Sequence, residues 1–168
     1  MTIPAPTDPF AVLQLAYQNL YDLMKMLGPD NPDPALRIFK TFSDDPIEIQ
    51  RVPPGEQPAL FQDEAFEDYM YSGAVLTFIV ATVYFHIGCT STKGQISASK
   101  TLNPLISAVR AKLQSTVPGD EQQLNLGDRV TAVRIKGTAM KNLGANSTDT
   151  EHRQAVYYLP VEIVIAAQ

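Results

Sequence analysis

The stretch of sequence that decides the fold is residues 75–87, which read VLTFIVATVYFHI. Successive residues of a β-strand point to opposite faces of a sheet, and both sets are largely apolar here. One set is Val75, Thr77, Ile79, Ala81, Val83, Phe85 and Ile87, and the other is Leu76, Phe78, Val80, Thr82, Tyr84 and His86. We therefore predict a central strand covered on both faces. Thirteen residues at about 3.3 Å each exceed the usual strand length, so the strand should bend strongly or project beyond the core.

Two amphipathic helices are predicted on either side of this strand. Asp8-Pro9 is a typical helix start, because Asp caps free N–H groups and Pro suits the first turn. Gly28-Pro29 should end this helix, and its apolar stripe is Phe10, Leu13, Tyr17, Leu20, Met24 and Leu27. Asn103-Pro104 predicts a second start, and the stripe that follows it is Leu105, Ile106, Val109 and Leu113.

Shorter strands are predicted at residues 36–42, 59–62, 130–136 and 155–165. Pro160 should place the last of them at a sheet edge or a bulge, because proline cannot donate a backbone hydrogen bond. The predicted order is α-β-β-β-α-β-β, without regular crossover helices. This order favours an α+β fold, a mainly antiparallel β-sheet with two helices packed on it, as a single domain over residues 1–168.

Two segments are predicted to be loops, mobile near residues 63–73 and 138–154. Residues 63–71 read DEAFEDYMY and fit neither helical nor strand periodicity. This segment could fold onto its own core, pack against a neighbouring subunit, or present carboxylates to a channel. The candidate contact residues are Phe66, Tyr69, Met70, Tyr71, Lys141 and Asn142, and the candidate channel carboxylates are Asp63, Glu64, Glu67 and Asp68.

Charge and composition exclude several classes of protein. The chain has 13 Lys and Arg against 18 Asp and Glu, a net charge of −5, and no basic cluster for binding phosphates. Its single cysteine, Cys89, excludes an internal disulfide. The first residues do not resemble a signal peptide, and the apolar run 74–87 is too short to span a bilayer as a helix. We expect a soluble protein made in a reducing cytoplasm.

Motifs for catalysis are scarce. No phosphate-binding glycine motif, zinc motif or serine nucleophile motif occurs in the sequence, and the two histidines, His86 and His152, lack nearby ligands at metal-binding spacing. We therefore predict no enzyme activity and no catalytic, cofactor-binding or metal residues. The alternative is a small-ligand enzyme or binding protein, for which His86, Tyr84 and Cys89 would be the first candidates.

Four segments resemble the tail-terminator (tail-completion) proteins of long-tailed bacteriophages. Residues 100–109, KTLNPLISAV, resemble that family's second helix. Residues 124–130, LNLGDRV, and the strand that follows and ends at Gly137 are similar to its next elements. Residues 155–163, AVYYLPVEI, resemble its last strand, and Pro58–Phe61 after an N-terminal helix fits the same layout.

The resemblance implies a structural protein of the virion neck, assembled in the bacterial host cytoplasm. Such a protein forms a hexameric ring that caps the tail tube, stops its polymerisation and joins it to the head connector. DNA would pass through the ring without sequence-specific binding, which suits a net-negative chain. The alternatives are another head–tail joining (head-completion) protein and a structural subunit unrelated to phages.

Overall fold

The central strand is longer than the alternating stretch alone. A computed structural model describes residues 8–45, 51–92, 98–114, 126–136, 140–143 and 152–167. These residues form two α-helices, two short 3-10 helices and six strands. The α-helices are α1 (Pro9–Lys25) and α2 (Ala98–Leu113), and the 3-10 helices are Pro34–Leu36 and Pro54–Glu56. The strands are β1 (Thr41–Ser43), β2 (Ala59–Ser72), β3 (Val75–Thr92), β4 (Val130–Ile135), β5 (Met140–Leu143) and β6 (His152–Ala166).

The six strands form one sheet with the order β1-β2-β3-β6-β4, and β5 also pairs with β6. β1 runs parallel to β2, and the other pairs are antiparallel. On the side of β6 away from β3, β4 pairs with Val161–Ile165 and β5 with Ala155–Tyr158. The predicted α+β fold, a mainly antiparallel sheet with two helices packed on it, is confirmed. The predicted order lacked one strand, β5.

The two helices cover one face of the sheet, which we call the helix face. The helix-face side chains of β3 and the predicted apolar face of β6 are buried there with both helical stripes. The fully buried large side chains among these include Ile79, Phe85, Ile87 and Leu159. Asp8 caps α1 as predicted, since its side chain accepts a hydrogen bond from the Phe10 N–H. Phe10 itself departs from the predicted stripe, because it lies at the first turn and is 48% exposed.

The opposite face, which we call the open face, is covered only in part among the described residues. A small cluster of Val52, Ala59, Phe61 and Val156, with Tyr158 against it, covers the end of β3 that is remote from the turn to β2. Near that turn Phe78 is 40% exposed. The prediction that β3 is covered on both faces is therefore wrong for the half of the strand near the turn.

The two predicted loops contain strands. Residues 63–71 belong to β2, whose register with β3 continues to Ser72 opposite Val75. Long-range pairing overrides the weak strand propensity of Asp and Glu. In the second segment, residues 140–143 form β5 and His152 begins β6, while residues 138–139 and 144–151 lie outside the described part. The predicted strand at 36–42 is also wrong in most of its length, since only Thr41–Ser43 pair with β2.

Two prolines occupy unexpected positions. Pro104 lies inside α2, which extends from Ala98, so the predicted helix start at Asn103-Pro104 is wrong. Pro160 lies in β6, which pairs with strands on both sides and is not a sheet edge. It falls between the residues of β6 that pair with β4 and those that pair with β5. At this break, no strand in the described ranges needs the N–H that proline lacks.

Candidate functional site

The outer half of the β2–β3 hairpin, residues 63–78, is the most exposed part of the described sheet, and we call it the arm. β1 pairs only with Ala59–Phe61, and the pairing of β6 with β3 stops at Phe78. The tip of the arm is therefore a two-stranded ribbon among the described residues. Gly73 turns the chain with a φ of 63°, a conformation that glycine adopts at low cost. The length of the central strand predicted a bend or a projection, and the tip of the arm beyond Phe78 extends past the pairing with β6.

Strand alternation divides the four predicted channel carboxylates between the two faces. Glu64 and Glu67 pair with Val83 and Ala81, which belong to the helix face. Asp63 and Asp68 pair with Tyr84 and Val80, which belong to the open face. A register shift between Glu64 and Phe66 moves the alternation by one residue, so that Glu67 lies on the same face as Glu64. The four carboxylates therefore do not form one cluster.

Glu67 fixes the arm against α1. The Tyr17 hydroxyl donates a hydrogen bond to Glu67 Oε1 at 3.2 Å, and the Tyr69 hydroxyl donates to Oε2. Burial, together with the negative charge of Glu67, raises the pKa of Tyr17 well above its usual range. The Tyr69 ring lies 5.8 Å from the ring of Phe10, measured between centroids. This group of contacts joins the middle of the arm to the first turns of α1.

Glu64 lies in a region of concentrated negative charge. Burial raises the pKa of its carboxyl, and the nearby carboxylates Asp44, Glu67 and Asp63 raise it further. In the described part of the chain, no Lys or Arg lies within ion-pair distance of the four carboxylates of the arm, and the partner of Asp63 is His86. The arm therefore presents negative charge that is compensated only in part, since Asp68 is close enough to Lys136 to raise the pKa of that lysine.

The predicted aromatic contact residues are exposed on this arm. Phe66 is 65% exposed, Tyr71 62%, Met70 53% and Tyr69 41%. Phe66 and Met70 lie on the open face, and Phe66 contacts the edge of Tyr84 at 6.5 Å between ring centroids. Large apolar side chains grouped on a projecting element are typical of a surface that binds another protein.

The other two predicted contact residues are remote from the arm. Lys141 and Asn142 lie in β5, where they pair with Tyr157 and Val156 of β6. Those residues of β6 pair in turn with Ile87 and Gly88 of β3, twelve and thirteen residues from Val75 at the turn. The structure therefore does not bring the two sets of predicted contact residues together.

A buried carboxylate lies on the open face, and the sequence analysis did not identify it. Glu162 is 3% exposed. Its Oε1 accepts a hydrogen bond from Arg134 Nε at 2.6 Å, and its Oε2 lies 2.9 Å from Lys136 Nζ. Burial on its own raises the pKa of Glu162, but the hydrogen bonds and positive charges of Lys136 and Arg134 outweigh it and lower the pKa. This group joins β4 to β6 and is a structural ion pair.

The residues suspected of binding a small ligand do not converge. His86 Nε2 lies 3.4 Å from Asp63 Oδ2 on the open face, and burial lowers the pKa of His86 although Asp63 opposes the shift. Cys89 is buried on the helix face, where its Sγ donates to the Ala98 carbonyl at 3.3 Å. His86 and Cys89 therefore lie on opposite faces of the sheet. The contact of Asp63 with His86 was missed because it crosses between strands.

Within the described ranges, no group of three or more His, Cys, Asp or Glu side chains could hold a metal ion. None of the described helices combines the length and the apolarity needed to span a membrane. Neither a protein family nor a curated protein matches this chain.

Proposed function

We propose that this protein is a structural subunit of the neck of a long-tailed phage, a tail terminator that forms a ring on the end of the tail tube. The ring stops polymerisation of the tube and joins it to the head connector. Support comes from the resemblance over residues 100–109, 124–130 and 155–163 and from an α+β fold with the implied layout.

The observation that carries the assembly role is the exposed arm. Phe66, Tyr69, Tyr71 and Phe78 are 65%, 41%, 62% and 40% exposed. With about 200 Å² for each aromatic side chain, these four rings alone expose roughly 400 Å². This is about half of the roughly 800 Å² that each partner contributes to a standard interface. Burial of this area against another subunit would explain why the hairpin extends beyond its own core.

The route for DNA also suits the charge of the chain. A net charge of −5 gives a conduit that repels phosphates instead of retaining them. Because alternation sends Asp63 and Asp68 to one face of β2 and Glu64 and Glu67 to the other, at most one of these pairs can line a lumen.

Phage particles assembled without this protein test the proposal. Electron micrographs should show overlong tails, because nothing would stop the tube from growing. Tails of normal length without heads would instead indicate a head–tail joining protein. Normal, infectious particles would contradict a neck function altogether. Complementation with the wild-type chain should restore tail length and is the control.

A further inference from the structure

The acidic arm has a counterpart of opposite charge in the same chain. Residues 98–114, which include α2, contain three basic residues, Lys100, Arg110 and Lys112, and no acidic one. Lys100 and Arg110 are exposed and Lys112 is half-buried. Among the described residues Lys100 and Lys112 have no ion-pair partner, whereas Arg110 donates to the Tyr157 hydroxyl at 2.7 Å. We call the exposed side of α2 the basic face, with Lys100 on it and Arg110 and Lys112 at its two edges.

Among its described residues, the exposed side of α2 also carries no large apolar side chain. Its exposed residues between the charged positions are small or polar, and they include Pro104, Ser107 and Ala111. The large apolar side chains of α2 are turned into the core instead, with Leu102, Val109 and Leu113 nearly inaccessible. Lysine and arginine stems also pack well on aromatic rings, where the cation gains further attraction. The arm supplies such rings in Phe66, Tyr69 and Tyr71.

The tip of the arm is remote from the basic face of its own molecule. α2 is anchored near the far end of β3, because Ala98 accepts a hydrogen bond from Cys89 and Arg110 contacts Tyr157, the register partner of Ile87. The tip of the arm lies at Val75, twelve residues from Ile87 along β3. At about 3.3 Å per residue this separation is roughly 40 Å. The tip of the arm and the basic face can therefore meet only between two copies.

We propose that the arm of each copy docks on the basic face of the next copy. The contact uses two different surfaces, so it repeats head to tail, and it gives a ring if the rotation between copies closes. This docking proposal rests on the proposed ring function and specifies the interface between neighbouring copies. It also assigns the carboxylates of the arm to a contact between copies instead of to the lumen. A pairing of two arms across a twofold axis is disfavoured, because it would bring eight carboxylates together.

Charge reversal tests this assignment, with native mass spectrometry and light scattering of the full chain as readouts. Glu64→Lys with Asp68→Lys changes the charge of the arm from −4 to 0 without touching the contacts of Glu67, and Lys100→Glu with Lys112→Glu changes the charge of the basic face from +3 to −1 without touching Arg110. Each double variant should assemble at least about tenfold more weakly than the wild type, since the attraction is removed in the first variant and becomes repulsion in the second. Circular dichroism should show both variants folded. Glu56→Lys and Lys40→Glu, at exposed positions away from both surfaces, should assemble normally.

The quadruple variant that carries all four substitutions should regain part of the wild-type assembly, because the introduced Lys side chains can pair with the introduced Glu side chains. An equimolar mixture of the two double variants should also assemble, in alternating order. If the wild type forms a ring and the reversals leave it unchanged, the assigned interface is wrong and the ring function stands. If both reversals weaken the ring but the quadruple variant is not rescued, direct contact between the two surfaces is refuted. A wild type that remains monomeric in every condition refutes the ring function and the interface together.

Discussion

Replacement of the buried carboxylate Glu162 by glutamine tests the ion pair that joins β4 to β6. Glu162 is 3% exposed and accepts charge-assisted hydrogen bonds from Arg134 and Lys136. In Glu162→Gln the amide group turns a donor toward one cation and removes the negative charge from both. Hydrogen bonds to charged groups contribute about 1.5–3 kcal/mol.

The expected loss in the free energy of unfolding of Glu162→Gln is about 2 kcal/mol at neutral pH, within that range. It lies below the roughly 3–5 kcal/mol of a fully buried pair, because both cations keep part of their hydration. The side chains of Arg134 and Lys136 are 63% and 49% exposed. For a chain of this size, such a loss lowers the melting temperature by about 4–8 °C.

The pH dependence of the unfolding free energy is a second test of this ion pair. The pKa of Glu162 is lower in the folded state than in the unfolded state, where it is near 4.5. The stabilisation by Glu162 is therefore fully present when the pH is above the unfolded-state pKa, and it is lost as the pH falls through the folded-state pKa. The gap between wild type and Glu162→Gln should therefore be constant around neutrality and narrow in acid.

Urea unfolding followed by circular dichroism measures this gap. Glu56→Gln, at an exposed carboxyl, is the matched control and should change stability by less than about 0.5 kcal/mol. Equal urea midpoints for the wild type and Glu162→Gln at neutral pH would refute the stabilising role of Glu162. A difference in unfolding free energy that widens on acidification would refute it as well.

Three further substitutions test the core, the arm and α2. Phe85→Ala should cost about 3–5 kcal/mol of unfolding free energy because Phe85 is fully buried. Phe66→Ala, at an exposed position, should leave the stability of the monomer nearly unchanged. Similar losses for the two variants would contradict the assigned core. Gly73→Ala should cost about 1–2 kcal/mol through its positive φ alone, and Gly55→Ala, which has open space and no positive φ, is its control in the same urea titration. Pro104→Ala should raise the melting temperature, because alanine restores an interior N–H of α2 and is favoured over proline by up to about 3 kcal/mol; a lower melting temperature would show that the ring of Pro104 is needed.

The elements with one dominant pattern were predictable from the sequence. The alternation of residues 75–87 identified the central strand, and the stripes of α1 and α2 identified both helices, because burial on one face leaves a clear periodic signal. The buried face of β6 was predicted for the same reason. The class of fold follows from these elements and their order.

The arm was predicted as a loop because both of its faces carry a mixture of acidic and apolar side chains. Phe66, Asp68 and Met70 alternate with Glu67, Tyr69 and Tyr71, so each face combines acidic and apolar side chains and no amphipathic period appears. Its strand conformation comes from pairing with β3, which propensity does not include. The candidate contact residues of this segment are exposed on the arm, and their role in a contact stays a prediction.

Contacts between distant segments account for the other omissions. Glu162 looked like one polar residue in an apolar strand, and its partners Arg134 and Lys136 become visible only when β4 pairs with β6. The neighbouring positions of Asp63 and His86 likewise depend on the β2–β3 register. Pro160 violated the expectation of an edge strand because β4 and β5 divide one side of β6 between them.

Two-dimensional class averages of the purified wild-type chain, from electron micrographs at tens of micromolar and with the tail tube present and absent, test the central claim most directly. The account predicts closed rings with a central hole, free or seated on the tube end. Particles that stay monomeric in both conditions, or that form closed twofold dimers with the arms paired, would contradict it.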